Sequence, residues 1–577
     1  MFSIEEILQS EHPKIFTYPK LITKPGISFL QLLFHEQHIN DFLQNHPQSG
    51  IDFINNVLEH LEISYKTDNK EILNVPSIGK CIIVANHPLG ALDALVLIQM
   101  LISVRQEKKI KIVANAMLSH IVQLEELLIP VDNISGKLTK ESLHAIENAL
   151  QNEELVIFFP AGEVSRANIN GISDGKWKKG FLKFAKRTQS PILPIHIHAR
   201  NSLTFYTASL IYKPFGAALL AHEMFKSKKS VFEFTIGELV APQTVFSMNL
   251  PLKQHAKLFR KHLYKIAKGK KGFYKTEQCI AHPESRQLIK QELSSAEHLG
   301  TTTDNKLIYL VEYREAPTLM NEIGRLREYS FRKVGEGTGR HKDLDRYDEY
   351  YQHLVLWDDQ ALEVVGAYRL GECNWILSWS GKEGLYLNEL CSMDEQHDQY
   401  LLEAVELGRS FVQPRYWGTR ALDYLWQGIG AYLKHNPQIR YLMGPVSISA
   451  SYPASARDAI VYFYSRYFAP MQKTLTARSP YRLSNITNKE FDELFDDNDY
   501  KTAFVQLKNY LAAFDVNVPT LFKQYSELCE EGGVTFFDFG IDSDFNDCVD
   551  GYILVDRQLM KASKQKRYIR SDTLNGG

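Results

Sequence analysis

No stretch of the chain stays apolar for the ~20 positions that a bilayer-spanning helix needs. The most apolar run, 94–104, is interrupted by Gln99 and falls well short, which predicts membrane contact only at the surface. A secretory leader is missing too: Met1-Phe2-Ser3-Ile4-Glu5-Glu6 carries acids where a leader carries bases, and no apolar core follows. Cysteine is sparse. Cys81, Cys279, Cys373, Cys391, Cys529 and Cys548 form no Cys-x-x-Cys and no metal-ligand spacing, a pattern that fits a reducing compartment and small packing roles. These absences predict a cytoplasmic protein. Charge of one sign is also lacking: 66 Lys and Arg against 68 Asp and Glu give a formal charge of −2, which argues against bulk nucleic-acid binding. Any basic surface has to be local.

What is present is an ordinary globular composition, 44% hydrophobic and 23% charged, over 577 residues, too long for one core. The pattern predicts a helical segment over 1–75, an α/β domain over 76–250, a basic amphipathic segment and linker over 251–304, and a second domain over 305–577. Within 26–62, Ile51, Ile54, Leu58 and Leu61 recur at helical spacing, and Phe29, Leu32 and Leu33 make a stripe expected in the core. Strands follow at 81–85, 110–114, 155–159 and 192–198, alternating with helices that include 139–150. Such alternation implies a largely parallel sheet, with ligands at the carboxyl ends of its strands.

Two loops sit at such ends. The first, 85–93, places His87 on the turn from a buried strand into a helix and Asp93 shortly after it. A histidine there is reachable by substrate, and an acid nearby fixes its tautomer, the minimum for deprotonating a hydroxyl. The same residues also read as a plain helix start, with Asp93 serving the dipole and His87 capping. The second loop, 160–166, offers Gly162 for close backbone approach and Ser165 and Arg166 as donors.

Together the loops resemble the glycerophospholipid acyltransferase family, whose members carry Asn-His, four residues and Asp, then a later Phe-Pro-Glu-Gly-Thr-Arg. Asn86, His87 and Asp93 match the first block with five residues intervening; Phe159-Pro160-Ala161-Gly162 follows the second, with the acid at Glu163 instead of position 161. The prolines at 191–195 are similar to the family's last block. The resemblance implies acyl transfer from a thioester to a hydroxyl, with His87 as base, Asp93 as its partner, and Asn86, Gly162, Glu163, Ser165 and Arg166 at the substrate. A base of pKa near ~6.5 suits that proton, and the backbone of Gly162 or Arg166 would supply donors to the oxyanion. No serine or cysteine nucleophile, metal or cofactor is expected. His196 and His198 alternate on one strand without a third ligand and read as structural.

Basic patches flank this region. Lys176, Lys179, Lys183 and Arg187 share a helical face suited to an acidic acyl carrier protein or to anionic headgroups; 253–275 combines nine basic residues with Leu258, Phe259, Leu263, Tyr264 and Ile266 and no acid, the pattern of a membrane-surface helix. The tail 561–570 is basic as well.

In the second half, 294–305 reads as a polar linker, 327–332 as helix, 354–357, 364–370, 386–390, 405–412 and 441–446 as strands, and 419–433 as a long helix. A glycine loop spans 335–339, and acids follow at Asp343, Asp345 and Asp348. In order, Arg327 and Phe331, these acids, Arg369, then Glu406 and Arg409 are similar to the acyl-homoserine-lactone synthases and, over most of 305–560, to the ornithine N-acyltransferase family, variants of the acetyltransferase (GNAT) α+β fold. The resemblance implies N-acylation of an amino acid by an acyl carrier protein or coenzyme A thioester. It makes Glu406 catalytic and Arg327, Phe331, Asp343, Asp345, Asp348, Arg369 and Arg409 substrate-binding; the plainer reading is that Glu406–Arg409 and Asp345–Arg369 are structural ion pairs. Asp538, Asp544 and Asp547 would meet the amine or support the sheet. Whole-chain organisation resembles the bifunctional ornithine lipid synthases: the second domain would join a 3-hydroxyacyl chain to ornithine, and the first would esterify the new hydroxyl. Glycine or another small amino acid is the alternative acceptor, and a haemolysin-like membrane-binding protein without catalysis is the alternative class. The expected place is the inner face of the cytoplasmic membrane, held peripherally, with the lyso-lipid as second acceptor.

Overall fold

The computed structural model describes residues 3–11, 16–17, 20–33, 35–105, 107–115, 121–131, 139–168, 171–211, 219–220, 223–483, 485–495 and 499–569. The chain divides into two units, Met1–His282 and Pro283–Gly577.

The first unit contains β1 (Ser64–Lys66), β2 (Cys81–Ala85), β3 (Ile110–Asn115), β4 (Leu128–Val131), β5 (Leu155–Phe158), the hairpin β6 (Arg166–Asn168) and β7 (Gly171–Ser173), β8 (Ile192–His198) and β9 (Val231–Ile236). All but the hairpin form a seven-stranded sheet ordered β1-β9-β8-β2-β5-β3-β4. Every pairing is parallel except β8 with β9. Strands β2 and β5 are buried at every position, because helices cover both faces. Their side chains alternate accordingly: Cys81, Ile83 and Ala85 pack with Ile54, Leu58 and Leu97, while Ile82 and Val84 pack with Phe181, Leu182 and Phe259. As neighbours in a parallel pair, β2 and β5 deliver the two special loops side by side.

Residues 26–62 are helical in pieces, Lys20–Leu33, Glu36–Asn45 and Gly50–His60, with His35 in the left-handed region (φ 52°) between the first two. Ile54 and Leu58 enter the core, but Phe29 and Leu32 are 64% and 75% exposed, against expectation. Periodicity identifies a helix face without saying what covers it.

The basic amphipathic segment turns its apolar face into the first unit. Its helix, Leu252–Ile266, buries Ala256, Phe259, His262 and Leu263 within the first unit's core. Full burial of one such phenylalanine is worth about 2–3 kcal/mol, enough to turn that face inward. Lys253, Lys257 and Lys261 remain exposed on the other side.

The second unit contains β10 (Glu297–Thr301), β11 (Leu307–Glu312), β12 (Gln352–Asp358), β13 (Glu363–Glu372), β14 (Cys391–Met393), β15 (Ala404–Val412), β16 (Tyr441–Ile448), β17 (Leu475–Ala477), β18 (Val534–Asp542) and β19 (Cys548–Asp556). Eight of them form a sheet ordered β10-β11-β12-β13-β15-β16-β19-β18; β14 and β17 pair apart. The predicted linker at 294–305 therefore contains β10, an edge strand whose exposed half disguises it as polar coil. The predicted strand at 386–390 is instead the short helix Leu387–Leu390, since the Leu387 N–H donates to Glu406 Oε1 (2.8 Å). The tail folds as the helix Ala562–Tyr568, with Arg567 on Asp423 (2.8 Å); Arg570 lies outside the described residues.

One pairing in this sheet is parallel, β15 with β16, and it lasts only over Ala404–Glu406 and Tyr441–Met443. Beyond it the strands part. At the point of divergence Gly444 has φ 153°, and a Cβ there would stand 2.1 Å from the Leu407 carbonyl oxygen. A bulge opposite β13, with Arg409 left-handed at φ 49°, bends β15 further.

Candidate active sites

In the first unit the helix Ala91–Val104 starts straight after the β2 turn, and Asp93 occupies its third position. Asp93 Oδ2 accepts the N–H groups of Leu89 (2.8 Å) and Gly90 (3.0 Å), which would otherwise be unsatisfied at the helix start. The same oxygen lies 3.1 Å from His87 Nδ1. Asp93 is fully buried, and burial raises its pKa above the usual carboxylate value against the pull of His87 and the two amides. The His87 ring, 20% exposed, lies over Phe159 of the second loop with centroids 4.1 Å apart and planes 21° apart. A carboxylate at Nδ1 keeps the proton on that nitrogen and leaves the Nε2 lone pair as acceptor.

His87 and Gly162 line a cavity of about 1600 Å³ whose other walls include Leu95, Ile98, Leu124, Leu127, Phe181 and Phe184. Its size and apolar lining suit a hydrocarbon chain. Lys178 lines it too, and its ammonium would stand 3.0 Å from a Cβ at Gly162, whose φ of 68° suits glycine.

In the second unit the sheet collects six charged residues at the parting of β15 and β16. Arg327 pairs with Asp348 (2.7 Å), Arg369 with Asp345 (2.6 Å) and Asp348 (3.3 Å), and Arg409 with Asp343 (3.2 Å) and Asp345 (3.4 Å). Burial opposes ionisation of Asp348, but Arg327 and Arg369 outweigh it and hold its pKa well below the carboxylate range. His353, which touches Arg327 and the Asp348 carbonyl, is pushed down to about 4 by burial. The Arg369 guanidinium is ringed by Tyr347, Tyr351 and Tyr386, with centroids 5.2–5.6 Å away. Glu406, the last residue of β15 that pairs with β16, accepts the Tyr351 hydroxyl (2.6 Å) and the Leu387 N–H, and burial raises its pKa.

Comparison with known proteins decides the class. An acyltransferase family model matches residues 17–270, and an acetyltransferase (GNAT) domain model matches 326–427. A glycine N(alpha)-acyltransferase of Phocaeicola vulgatus is 33% identical over 309 residues, 51% of this chain and 93% of the relative. A lyso-glycine lipid O-acyltransferase of Bacteroides thetaiotaomicron is 31% identical over 274 residues, 46% and 97% of the two chains. An L-ornithine N(alpha)-acyltransferase of Rhodobacter capsulatus is 27% identical over 238 residues, 40% and 80%. The chain belongs to the acyltransferase families of the first two of these relatives. It is a bifunctional fused acyltransferase.

Within this acyltransferase several predicted contacts are spent internally. Asn86 exchanges two bonds with the backbone of Ile197, giving Nδ2–H to the carbonyl (3.0 Å) and accepting N–H at Oδ1 (2.7 Å), so it stitches β2 to β8 instead of facing substrate. The Gly162 N–H is taken by the Phe159 carbonyl (3.0 Å), and Arg166 Nε lies 3.3 Å from Glu163 Oε2 at the surface. Ser165 is buried and donates its hydroxyl to Asp174 (2.6 Å). The expected oxyanion donors are thus engaged. In the second unit Arg327 and Arg369 are buried against Asp348 and Asp343 is buried against Arg409, whereas the Asp345 and Arg409 side chains keep 22% and 13% exposure and remain reachable. The predicted Glu406–Arg409 pair gives way to Arg409–Asp343 and Glu406–Tyr351, because the bulge turns Arg409 away from its strand neighbours. Phe331 packs edge-on against Phe545 at 4.9 Å.

Of the three later acids, Asp538 binds the Ala477 N–H and Lys473, and Asp544 and Asp547 lie at the β18–β19 turn. His196 is half-buried beside His198 and Tyr264, and loss of solvent pushes its pKa down to about 3; His198 contacts Thr235. No group of three metal-ligating side chains comes together among the described residues. Sequence reasoning missed Asp174, Tyr351 and Tyr386, each brought to its site from a distant position.

Proposed function

We propose that the two halves act in series to make a diacylated amino-acid lipid. The GNAT half transfers a 3-hydroxyacyl group from acyl carrier protein to an amino acid, and the acyltransferase half esterifies the resulting hydroxyl with a second acyl group. The observation that carries this reading is the His87–Asp93 pair beside an apolar cavity of about 1600 Å³, on a chain that also holds parted parallel strands with an ion-pair network at the fork.

In the second unit the open edges of β15 and β16 offer backbone bonds to the extended arm of the donor. The amine of the amino acid attacks the thioester carbonyl in its neutral form, a C–N bond forms, the C–S bond breaks and the amine proton leaves to Glu406 or solvent. Arg409 and Asp345, the accessible members of the network, face the carboxylate and the amine.

In the first unit the lyso-lipid hydroxyl gives its proton to His87 Nε2 as its oxygen attacks the second thioester. Charge gathers on the carbonyl oxygen, and the Lys178 ammonium over Gly162 stabilises it. The intermediate collapses, the C–S bond breaks, and the imidazolium returns the proton to the departing thiolate. Asp93 stabilises the imidazolium while it lasts.

Glycine is the acceptor we propose, supported by the glycine-named relatives at 33% identity over 93% of their length. Ornithine is the second reading, supported by an ornithine-named relative at 27%. Competition between labelled glycine and labelled ornithine tests this: preferential incorporation of ornithine would overturn the substrate and leave the chemistry standing. Among the described residues no helix is long and apolar enough to cross a membrane. We place the enzyme peripherally on the inner face of the cytoplasmic membrane, a reading supported by exposed Lys253, Lys257 and Lys261 and by exposed Phe29 and Leu32. The exposed Lys176, Lys179 and Lys183 support docking of an acidic carrier protein.

A further inference from the structure

We infer that Asp174 is the positioning residue of the O-acylation site: its buried carboxylate clamps the backbone of His87 and locks the two catalytic loops together. The inference rests on the reading of His87 as the base of that step.

Asp174 follows β7 directly, 87 positions after His87, and is 2% exposed. Its Oδ1 accepts the His87 N–H (3.2 Å) and the Ser165 hydroxyl (2.6 Å). Oδ2 accepts the indole N–H of Trp177 (2.8 Å). The Ser165 N–H in turn donates to the His87 carbonyl (2.7 Å). Both backbone polar groups of His87 are therefore held by one pair of side-by-side residues, Ser165 through its amide and Asp174 through its carboxylate, and that pair is itself joined by a hydrogen bond. The His87 main chain cannot slide along β2 or rotate its peptide planes without breaking this ring.

Asp93 and Phe159 hold the ring of the same histidine, at Nδ1 and on one face. Backbone and imidazole are thus fixed by different partners.

A buried carboxylate is costly unless its lone pairs are filled, and filling them from three residues on two loops and a third segment makes it a junction. The helix Leu252–Ile266 braces that junction from outside. The Tyr264 hydroxyl accepts the Asp174 N–H (2.9 Å), and Arg260 donates to the Asp174 carbonyl through Nε (3.1 Å) and Nη2 (2.5 Å) and to the Ser173 hydroxyl (3.1 Å). A hydrophobic residue at 174 would keep these backbone bonds but leave the His87 N–H, the Ser165 hydroxyl and the Trp177 indole N–H without their acceptor.

The test compares wild type with Asp174→Asn, Asp174→Ala, Ser165→Ala and His87→Ala in the full chain, measuring kcat and KM for O-acylation of purified lyso-lipid, N-acylation, and thermal unfolding. Asn keeps an oxygen for the His87 N–H and Ser165 but turns its amide donor toward Trp177. We expect Asp174→Ala to lower kcat about a hundredfold, with the lyso-lipid KM changed less than about threefold. Asp174→Asn should recover much of that loss, Ser165→Ala should fall between, and N-acylation should stay at the wild-type rate. Should Asp174→Ala not fold, Ser165→Ala and Asp174→Asn carry the comparison, since the first removes one bond from the ring and the second only the Trp177 bond outside it. Variants that unfold more readily yet keep wild-type kcat per folded molecule would overturn the positioning role and leave Asp174 a brace. If His87→Ala retained O-acylation, the underlying reading of the base would fail instead, so the two failures are separable.

Discussion

His87 Nδ1 stands 3.1 Å from Asp93 Oδ2 even though five residues, not four, separate them. In the turn between them Gly90 takes φ 93° and ψ −132°, a conformation open to glycine. The helix starts at Ala91, and Asp93 reaches back past two backbone N–H groups to the imidazole. Asp93→Asn retains an oxygen for those amides and loses the charge that supports the imidazolium. O-acylation is expected to drop by about 10² or more with the fold intact, read as kcat alongside a thermal melt. An unchanged rate would remove Asp93 from the mechanism.

Removing Arg327 exposes the cost of the buried network. Arg327→Ala leaves Asp348 buried without its shortest partner, and about 3–5 kcal/mol of stability is expected to go, measured by urea unfolding of the purified chain. Replacing the accessible Arg409 with Ala should cost less stability and more N-acylation activity, because its side chain reaches the surface.

Two further acids of the second unit, Asp550 close to Arg409 and Asp542 and Glu336 close to Asp550, set a pH dependence. Asp550 is pushed up to about 7 by burial and then by Asp542, and Glu336 up to about 8 by burial and then by Asp550. Unfolded, these groups titrate near ~4. The folded state therefore holds more protons between those values: stability is full below ~4 and is lost as pH rises through about 7 to about 8. The melting temperature should fall by on the order of several degrees from pH 5 to pH 8, and Asp550→Asn should flatten that slope. A slope unchanged by Asp550→Asn would contradict the assignment.

Much of this architecture was legible from residue patterns because the decisive strands are fully buried. The apolar runs ending at Ala85 and Phe158 announce themselves, and their parallel pairing brings His87 and Phe159 into contact. Edge and rim elements were not legible. Strand β10 is half exposed, and the helix at Leu387 exists because Glu406, far along the chain, takes its N–H. In the second unit Arg327, Asp343, Asp345, Asp348, Arg369 and Arg409 come together, yet nothing local says that Arg327 and Asp348 satisfy each other while Arg409 and Asp345 remain open. Asp174 has Ser165 and Trp177 nearby in sequence, but the partner that ties it to the site, His87, lies 87 positions away and leaves no local signal.

The exposed lysines on the helix Leu252–Ile266 make a prediction about location. Reversing Lys253, Lys257 and Lys261 to Glu leaves the buried face of that helix untouched and should lower flotation with anionic vesicles about tenfold or more, given ~1 kcal/mol per basic residue near such a surface. High salt should weaken wild-type binding in the same direction. Equal flotation of wild type and variant would count against this surface.

The account stands or falls on successive acylation by one chain. Purified enzyme supplied with 3-hydroxyacyl carrier protein, a second acyl donor and labelled glycine should form a monoacylated lyso-lipid first and a diacylated lipid later, while His87→Ala accumulates the lyso-lipid at the wild-type rate and goes no further. Diacylated product from His87→Ala at wild-type yield would contradict it.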